Sequence, residues 1–492
     1  MSKTYSKNEV LKAWCNDNNA LPVYGEEIER ITSALPSEKQ LNLMEMGYYS
    51  FIHFGINTMN SREWGDGKED ISSFNPEKLD TDQWCEVIRD TGSKGIIITA
   101  KHHDGFCLFD TKYTDHNVMN TPYKKDIVKM LCESCKKYSL KLGIYLSPWD
   151  RHEKTYGSEA YNDFFVSQLE ELCLNYGDIF VFWFDGACGE GENGKKQIYD
   201  WNRYYSVIRK LQPDAIIANC GPDVRWIGNE GGKVRESEWC VVPLTDKDNE
   251  EVMKHSQKNE SDGKKMLHID EMTQDLGSRN VLKKYPYLIF KPAEADVSVT
   301  TGWFYHSNFY YLFKKKRTAK ELAQIYFNTV GGNATLLLNV PPDKNGLISK
   351  REIKTLKEFT KLIKEPFKNQ ITDFTVSAFT DKGYERTIIK SELQSGYELN
   401  EDEVGLRVEF SKTQKLRTMV LRENLKKSQR VEQFKIYSKK RNDETFSLIY
   451  QGTVIGCRKF VILKEPVEAD EVYVVITQSR SNPVLTGIDI YE

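Results

Sequence analysis

The order of apolar and polar positions divides the chain into two unlike parts. From residue 48 onward short apolar runs alternate with segments whose apolar residues recur every three or four positions, the signature of strands followed by amphipathic helices. Strands are predicted at 48–55, 95–100, 141–146, 179–184 and 215–220, with weaker ones near 239–242 and 266–269 and a pair at 322–330 and 335–340. Helices are predicted at 81–91, 126–138, 160–176, 199–211 and 349–363, the last carrying Ile353, Leu356, Phe359 and Leu362 and ending before Pro366. The most apolar strand, Ile179-Phe180-Val181-Phe182-Trp183-Phe184, suits a parallel sheet covered on both faces and ends in Asp185.

About eight such strands over roughly 300 residues predict a (β/α)8 barrel, with a doubly wound sheet as the competing architecture. Polar residues at successive strand ends favour the barrel. His53, His102, Tyr145 and Asp185 are 49, 43 and 40 residues apart, one β/α unit each, and only a closed barrel brings all these ends to one mouth. Residues 1–45 read as a helical lead-in and 46–365 as the barrel. From 366 to 492 the pattern becomes short alternating segments parted by turn residues, a β-sandwich. Its expected role is packing against the barrel, with glycan binding as the minor alternative.

Composition narrows the partners. Lys and Arg number 69 against 72 Asp and Glu, a net charge of -3 with no basic stripe to track a phosphate backbone; nucleic acid is not an expected partner. The 9 Trp and 26 Tyr suit sugar stacking. No apolar run approaches a membrane span, and the N-terminus lacks a signal-peptide core. The expectation is a soluble cytoplasmic protein as the sequence stands, or an extracellular or periplasmic one if a leader has been removed. Ten scattered Cys, with Cys85, Cys107, Cys173 and Cys220 in apolar stretches, point to a reducing compartment. Cys132 and Cys135 form a C-x-x-C without a second pair, which argues against zinc.

Several stretches carry candidate chemistry, each with a plainer rival. Gly189-Glu190-Gly191-Glu192-Asn193-Gly194 fits G-x-G-x-x-G, yet its two Glu would repel a pyrophosphate, and a loop beside the mouth is the better reading. His102-His103-Asp104 could ligate a metal, but adjacent strand residues point to opposite faces, so donation to sugar hydroxyls is preferred and no metal is expected. His53 between Phe51 and Phe54, and Glu63 beside Trp64, are each ambiguous alone. Asp185 faces a ligand or caps a turn. Glu230, in a glycine-flanked loop near Trp226, is either a partly desolvated acid or a solvated loop residue.

Taken together, Phe182-Trp183-Phe184-Asp185-Gly186, Ala100-Lys101-His102-His103-Asp104-Gly105-Phe106, Arg62-Glu63-Trp64-Gly65-Asp66-Gly67 and Trp226-Ile227-Gly228-Asn229-Glu230 resemble the α-L-fucosidases of glycoside hydrolase family 29. So do Asp275-Leu276-Gly277-Ser278-Arg279, Gly302-Trp303-Phe304-Tyr305-His306 and Leu338-Asn339-Val340-Pro341-Pro342-Asp343. The resemblance spans about residues 49–342 and implies a retaining mechanism on a fucosylated oligosaccharide or glycoconjugate, with no cofactor. It implies Asp185 as nucleophile and Glu230 as acid/base, the latter because its context is similar to the α-1,3/4-specific subfamily. It also implies that His53, Glu63, Trp64, His102, His103 and Tyr145 bind fucose hydroxyls and that Trp303 covers the apolar C6 side. The chain departs from the family where Val299-Thr300-Thr301 replaces an Ile-Arg-Pro-like run. The alternatives are a broad-specificity fucosidase, a non-catalytic fucose-binding protein and a metal-dependent hydrolase.

Overall fold

The computed structural model describes residues 3–12, 25–244, 275–307 and 316–492. Eight parallel strands form a nearly closed barrel: Tyr48–Ile52, Gly95–Lys101, Lys141–Leu146, Ile179–Phe184, Ile216–Asn219, Arg225–Trp226, Ala293–Ser298 and Thr335–Asn339. The first pairs with both the second and the eighth, so the sheet wraps round. Between the fifth and sixth strands a single parallel bridge, Ala218 to Val224, closes the ring.

The fourth strand shows why such runs are apolar throughout. Its alternate side chains serve two cores. Val181 and Trp183 point inward with Tyr49, Phe51, Ile97, Tyr145 and Leu337, while Phe182 and Phe184 point outward to the helices. Both faces are dry. Truncating Phe182 to Ala would cost about 3–5 kcal/mol. Three of the covering helices start at the side-chain caps Asp80, Asp126 and Asp200, each accepting a backbone N–H of the first turn, while Ala160–Asn175 starts without one.

The second half of the barrel departs from the expectation. Residues 322–330 are not a strand: Ala319–Thr329 is a helix, opened by a reciprocal Thr318–Glu321 capping box and burying Ala319, Leu322 and Ala323 on one face. The weak strand near 239–242 exists as Val241–Pro243, but it pairs antiparallel with Leu288–Phe290 outside the barrel. The one expected near 266–269 lies outside the described residues. The sixth and seventh barrel strands take those places. The seventh, Ala-Glu-Ala-Asp-Val-Ser, turns Glu294 and Asp296 inward and so lacks the apolar run that marks the others.

The C-terminal part supplies all but one strand of a ten-stranded antiparallel sheet folded over on itself by two 21-residue strands, Glu403–Glu423 and Lys459–Ser479, a β-sandwich-like body around Val408, Phe410, Met419, Ile436 and Val472. The lead-in is not wholly helical. Thr4–Ser6 pairs with Thr445–Gly452 at the edge of this sheet, and Val10 and Leu11 pack under it. Barrel and sandwich share an apolar seam in which Met44, Val241 and Phe290 meet Leu425 and Cys457. The nine described cysteines are buried, and none of them is in a disulfide. Among the described residues no helix is long and apolar enough to cross a membrane.

Candidate active site

Asp185 stands at the C-terminal end of the fourth strand. Its Oδ1 accepts the Ala187 N–H at 2.8 Å, and its Oδ2 accepts the Tyr145 hydroxyl at 2.8 Å with His103 Nε2 3.8 Å away. Tyr145 is fully buried and stacks on Trp183, centroids 5.5 Å apart. Burial first, and then the Asp185 charge, push its phenol well above its ordinary pKa, so it remains a donor. The carboxylate is therefore oriented on one side and open to the mouth on the other, its side chain 23% exposed.

The histidines come together in a way the strand argument did not foresee. The second strand slips register between Thr99 and Lys101, and Lys101 is buried in a 2.8 Å ion pair with Asp150. Beyond Lys101 the chain turns, with Gly105 N–H donating to His102 O at φ +77°, where a Cβ would lie 2.4 Å from Asp150 Oδ1. Both rings thus reach the same mouth instead of opposite faces, 4.0 Å apart between centroids. His102 stacks parallel to Tyr145. Ser147 gives its proton to Trp149 O at 2.6 Å, so it accepts from His103 Nδ1 at 2.7 Å, and this assigned tautomer leaves Nε2 as an acceptor. Burial lowers His53 to about 3 and His103 to about 4 and depresses His102 further, so all three are neutral. Among the described residues no three His, Cys, Asp or Glu side chains are arranged to hold a metal ion.

Asn339, at the end of the eighth strand, ties this group to the opposite wall. Its Oδ1 lies 2.9 Å from His53 Nδ1, and its Nδ2 donates to Trp303 O at 2.7 Å and Ser298 Oγ at 2.9 Å. Trp303 leans over His53, centroids 5.1 Å apart. Trp64 packs edge-on against His103 and Trp149. Glu63 Oε2 accepts the Trp303 N–H at 2.7 Å, and its other oxygen pairs with His306 Nε2. Gly302 is required by its left-handed backbone, φ +89°, and a Cβ there would also crowd the Glu63 carboxylate.

Glu230 occupies the lip, on a loop shaped by its neighbours. Asn229 Oδ1 accepts the N–H groups of Gly231 and Lys233 at 3.0 and 3.1 Å, and Gly228 and Gly232 supply left-handed backbone. The residue is exposed as a whole, yet its carboxyl is crowded and its pKa rises to about 7. Burial is the largest cause, the charge of Asp185 the next; a Trp303 side-chain hydrogen bond and the Arg317 charge pull the other way. Solvent at the lip moderates the burial effect but not the sign.

The structure brings all nine expected residues to one mouth, and it adds others. Arg317 donates to Glu230 O at 3.0 Å and Ser298 O at 2.6 Å, arriving beside the strand end where Val299-Thr300-Thr301 lacks an arginine. Nothing around it in the sequence marks it out. Asp296 accepts the Trp226 indole N–H at 2.6 Å, and Glu294 those of Trp183, at 2.6 Å, and the Tyr49 hydroxyl. Burial raises Glu294 to about 7 and Asp296 further, Glu230 adding to the latter. The alternation of the seventh strand was their one sequence signal. Asn339 and His306 stood inside motifs already noted. The loop 189–194 closes through a Glu190–Lys196 bridge and opens no helix; the next begins at Trp201, capped by Asp200.

Comparison with known proteins agrees with this geometry. The family profile described as alpha-L-fucosidase matches residues 44–365. Alpha-L-fucosidase 1 of Arabidopsis thaliana is 34% identical over 93% of this chain and 87% of its own. The putative alpha-L-fucosidase 1 of Oryza sativa subsp. japonica is 31% identical over 93% and 85%. A crystal structure of a putative alpha-L-fucosidase from Bacteroides ovatus superposes with a TM-score of 0.79 at 38% identity, covering 96% of this chain and 77% of that one. A Ruminococcus gnavus GH29 fucosidase in complex with fucose, 24% identical, shares the fold over 100% of this chain and 99% of its own with a TM-score of 0.76. With a barrel mouth that joins two carboxyls, three neutral histidines and two indoles, and with these matches, the chain belongs to the α-L-fucosidase family, glycoside hydrolase family 29.

Proposed function

We propose that this protein is a retaining exo-α-L-fucosidase that removes α-1,3- or α-1,4-linked fucose from branched glycans. The observation that carries the reading is the contrast between the two carboxyls at the mouth. Asp185 is held by donors, as an attacking carboxylate should be, while Glu230 keeps a proton up to neutral pH, as a general acid should.

In the first step Asp185 attacks the anomeric carbon as Glu230 protonates the departing oxygen, giving a covalent fucosyl-enzyme. In the second, Glu230, then ionised, takes a proton from a water whose oxygen bonds to the anomeric carbon as the ester bond to Asp185 breaks, releasing fucose and the free carboxylate. Neutral His53, His102 and His103 offer donor and acceptor sites to hydroxyls without adding charge beside the positively charged transition state. Trp64 and Trp303 supply apolar ring surface. The carboxylate of Glu63 already holds Trp303 and His306, so it positions that wall as well as reaching sugar. The linkage rests on the Trp226-Ile227-Gly228-Asn229-Glu230 context and on the loops 186–196 and 228–233 that flank the mouth.

The test is product stereochemistry. Hydrolysis of an aryl α-L-fucoside followed by proton NMR should show α-L-fucose first, with the β-anomer arising only by mutarotation. First release of β-L-fucose would rule out the retaining route.

A further inference from the structure

We propose that the C-terminal sandwich is a working part of the acid/base apparatus: Gln429, Thr453 and Arg480 are positioning residues that grip the stem of the loop 225–240 and so set where Glu230 stands. This rests on Glu230 being the acid/base.

The loop is a stem with Glu230 at its tip. The stem is closed by Glu238, almost fully buried, whose carboxylate pairs with Arg225 on one side and Arg235 on the other. Arg235 in turn donates to Ile227 O at 3.3 Å, and Arg225 to Trp239 O at 3.0 Å. Residues before and after Glu230 are thereby bound to each other. A carboxylate buried with two guanidinium partners is fixed, because separating them leaves an uncompensated charge.

The sandwich holds this stem from outside the barrel. Gln429, 2% exposed, accepts the Cys240 N–H at 3.0 Å and donates to Glu238 O at 3.3 Å. Thr453 donates its hydroxyl to Glu236 O at 2.7 Å. The fully buried Arg480 lays its guanidinium 3.5 Å over the Trp239 ring and donates to Gly277 O. Asn333 completes the grip, donating to Glu238 O at 2.9 Å while accepting the Cys457 N–H from the sandwich at 2.8 Å.

The Asp275-Leu276-Gly277-Ser278-Arg279 motif finds its use in the same place. Arg279 donates to Glu432 at 2.9 Å and to Ser479 O at 2.8 Å, and Glu432 also receives Arg480 at 3.2 Å. Gly277 is required by contact, since a Cβ there would meet Trp239 Cβ at 2.2 Å. The motif is a docking surface for the sandwich, one residue layer behind the acid/base loop.

Sub-ångström displacement of a proton donor lowers the rate only where a proton is needed. The test therefore compares a Lewis-type trisaccharide, with a poor leaving group, and α-L-fucosyl fluoride, which leaves unaided. For Gln429→Leu, kcat on the trisaccharide should fall roughly tenfold with KM little changed, and the fluoride should stay within about twofold. Thr453→Val, which removes one hydroxyl at a half-buried site and tolerates substitution better, should show the same asymmetry at about threefold, and Thr453→Ser should restore the wild-type ratio. On a Glu230→Ala background Gln429→Leu should add nothing to the trisaccharide loss, since both act on one event. Equal losses on the two substrates, or full additivity with Glu230→Ala, overturns the inference. A Glu230→Ala enzyme that itself loses both substrates equally overturns the acid/base assignment instead, and the inference falls with it.

Discussion

The two carboxyls at the mouth are held by different halves of the molecule. Asp185 follows directly on a regular strand, and its contacts come from the strand beside it, the turn after the second strand and its own chain just beyond: Tyr145, His103 and the Ala187 N–H. Glu230 rides on a loop after a two-residue strand and is steadied at a distance, by Arg317, by the Glu238 ion pairs and by the sandwich. A nucleophile must meet the anomeric carbon in line, and a continuous strand holds that geometry rigidly. An acid/base has to serve leaving groups of different shape. A loop clamped mainly at its stem, with one backbone bond from Arg317 at its tip, is suited to that.

The sharpest break in the comparison is Asp185→Ala. Removing the covalent route should lower kcat by about 10⁴-fold or more with the fold retained, leaving binding and electrostatics. Azide should restore turnover and yield the inverted β-L-fucosyl azide; a product of retained configuration would mean that another group is the nucleophile.

Glu230→Ala should divide substrates where Asp185→Ala does not. Loss on glycans should reach about 10²–10³-fold, while the fluoride falls less than about tenfold. The pH profile carries the same information. Glu230 has a pKa raised to about 7, so the proton it donates is present below that and lost as pH climbs through it. The alkaline limb of kcat/KM for glycans should lie near pH 7 and vanish in Glu230→Ala. Equal losses on both substrate types would direct attention to nearby carboxyls, though Glu238 is already bound to Arg225 and Arg235.

The same contrast explains what could be read from the chain alone. The first five strands are apolar on both faces because their inner residues pack together and their outer residues pack on helices, and such runs are visible as runs. The strand that leads into Asp185 is among them. The sixth strand has two residues, too short for any pattern. The seventh places Glu294, Asp296 and Ser298 inward, so its polar alternation looks like a surface segment until the barrel is closed around it. Residues 322–330 fit a strand by composition, and the capping box at Thr318 and Glu321 is the local feature that makes them a helix. His102 and His103 were set on opposite faces by a rule that holds only within a strand, and the strand ends at Lys101. Arg317 reaches Glu230 across 87 residues, Gln429 reaches Cys240 across 189 and Arg480 reaches Gly277 across 203, and none carries a local mark.

If the loop around Glu230 is completed by the substrate, a branched glycan should be cut best. A Lewis trisaccharide should exceed both the same compound without galactose and 2'-fucosyllactose by roughly 10–100-fold in kcat/KM, with part of the gain in kcat. The loops 186–196 and 228–233 are the parts of the mouth that could meet the second arm. Similar values for all three substrates would indicate an acid/base already seated without the branch, and a broad-specificity enzyme.

The smallest effect has the most informative sign. Arg317 donates to the backbone carbonyl of Glu230 at 3.0 Å, and its positive charge favours the ionised carboxylate, so it holds the Glu230 pKa below what burial, Asp185 and Glu63 would otherwise impose. Arg317→Gln keeps a hydrogen-bond donor on a shorter side chain and deletes the charge. Glu230 should then keep its proton to higher pH, and the alkaline limb for glycans should move upward by roughly half a unit, an amount limited by solvent at the lip and reduced further in high salt. Loosening of the loop acts in the opposite direction. A more hydrated Glu230 would titrate nearer an ordinary glutamate, and the limb would move down. The direction of the shift thus separates an electrostatic role for Arg317 from a purely mechanical one, even where both lower kcat. A limb that is unmoved here and also persists in Glu230→Ala would mean that Glu230 is not the group that sets it.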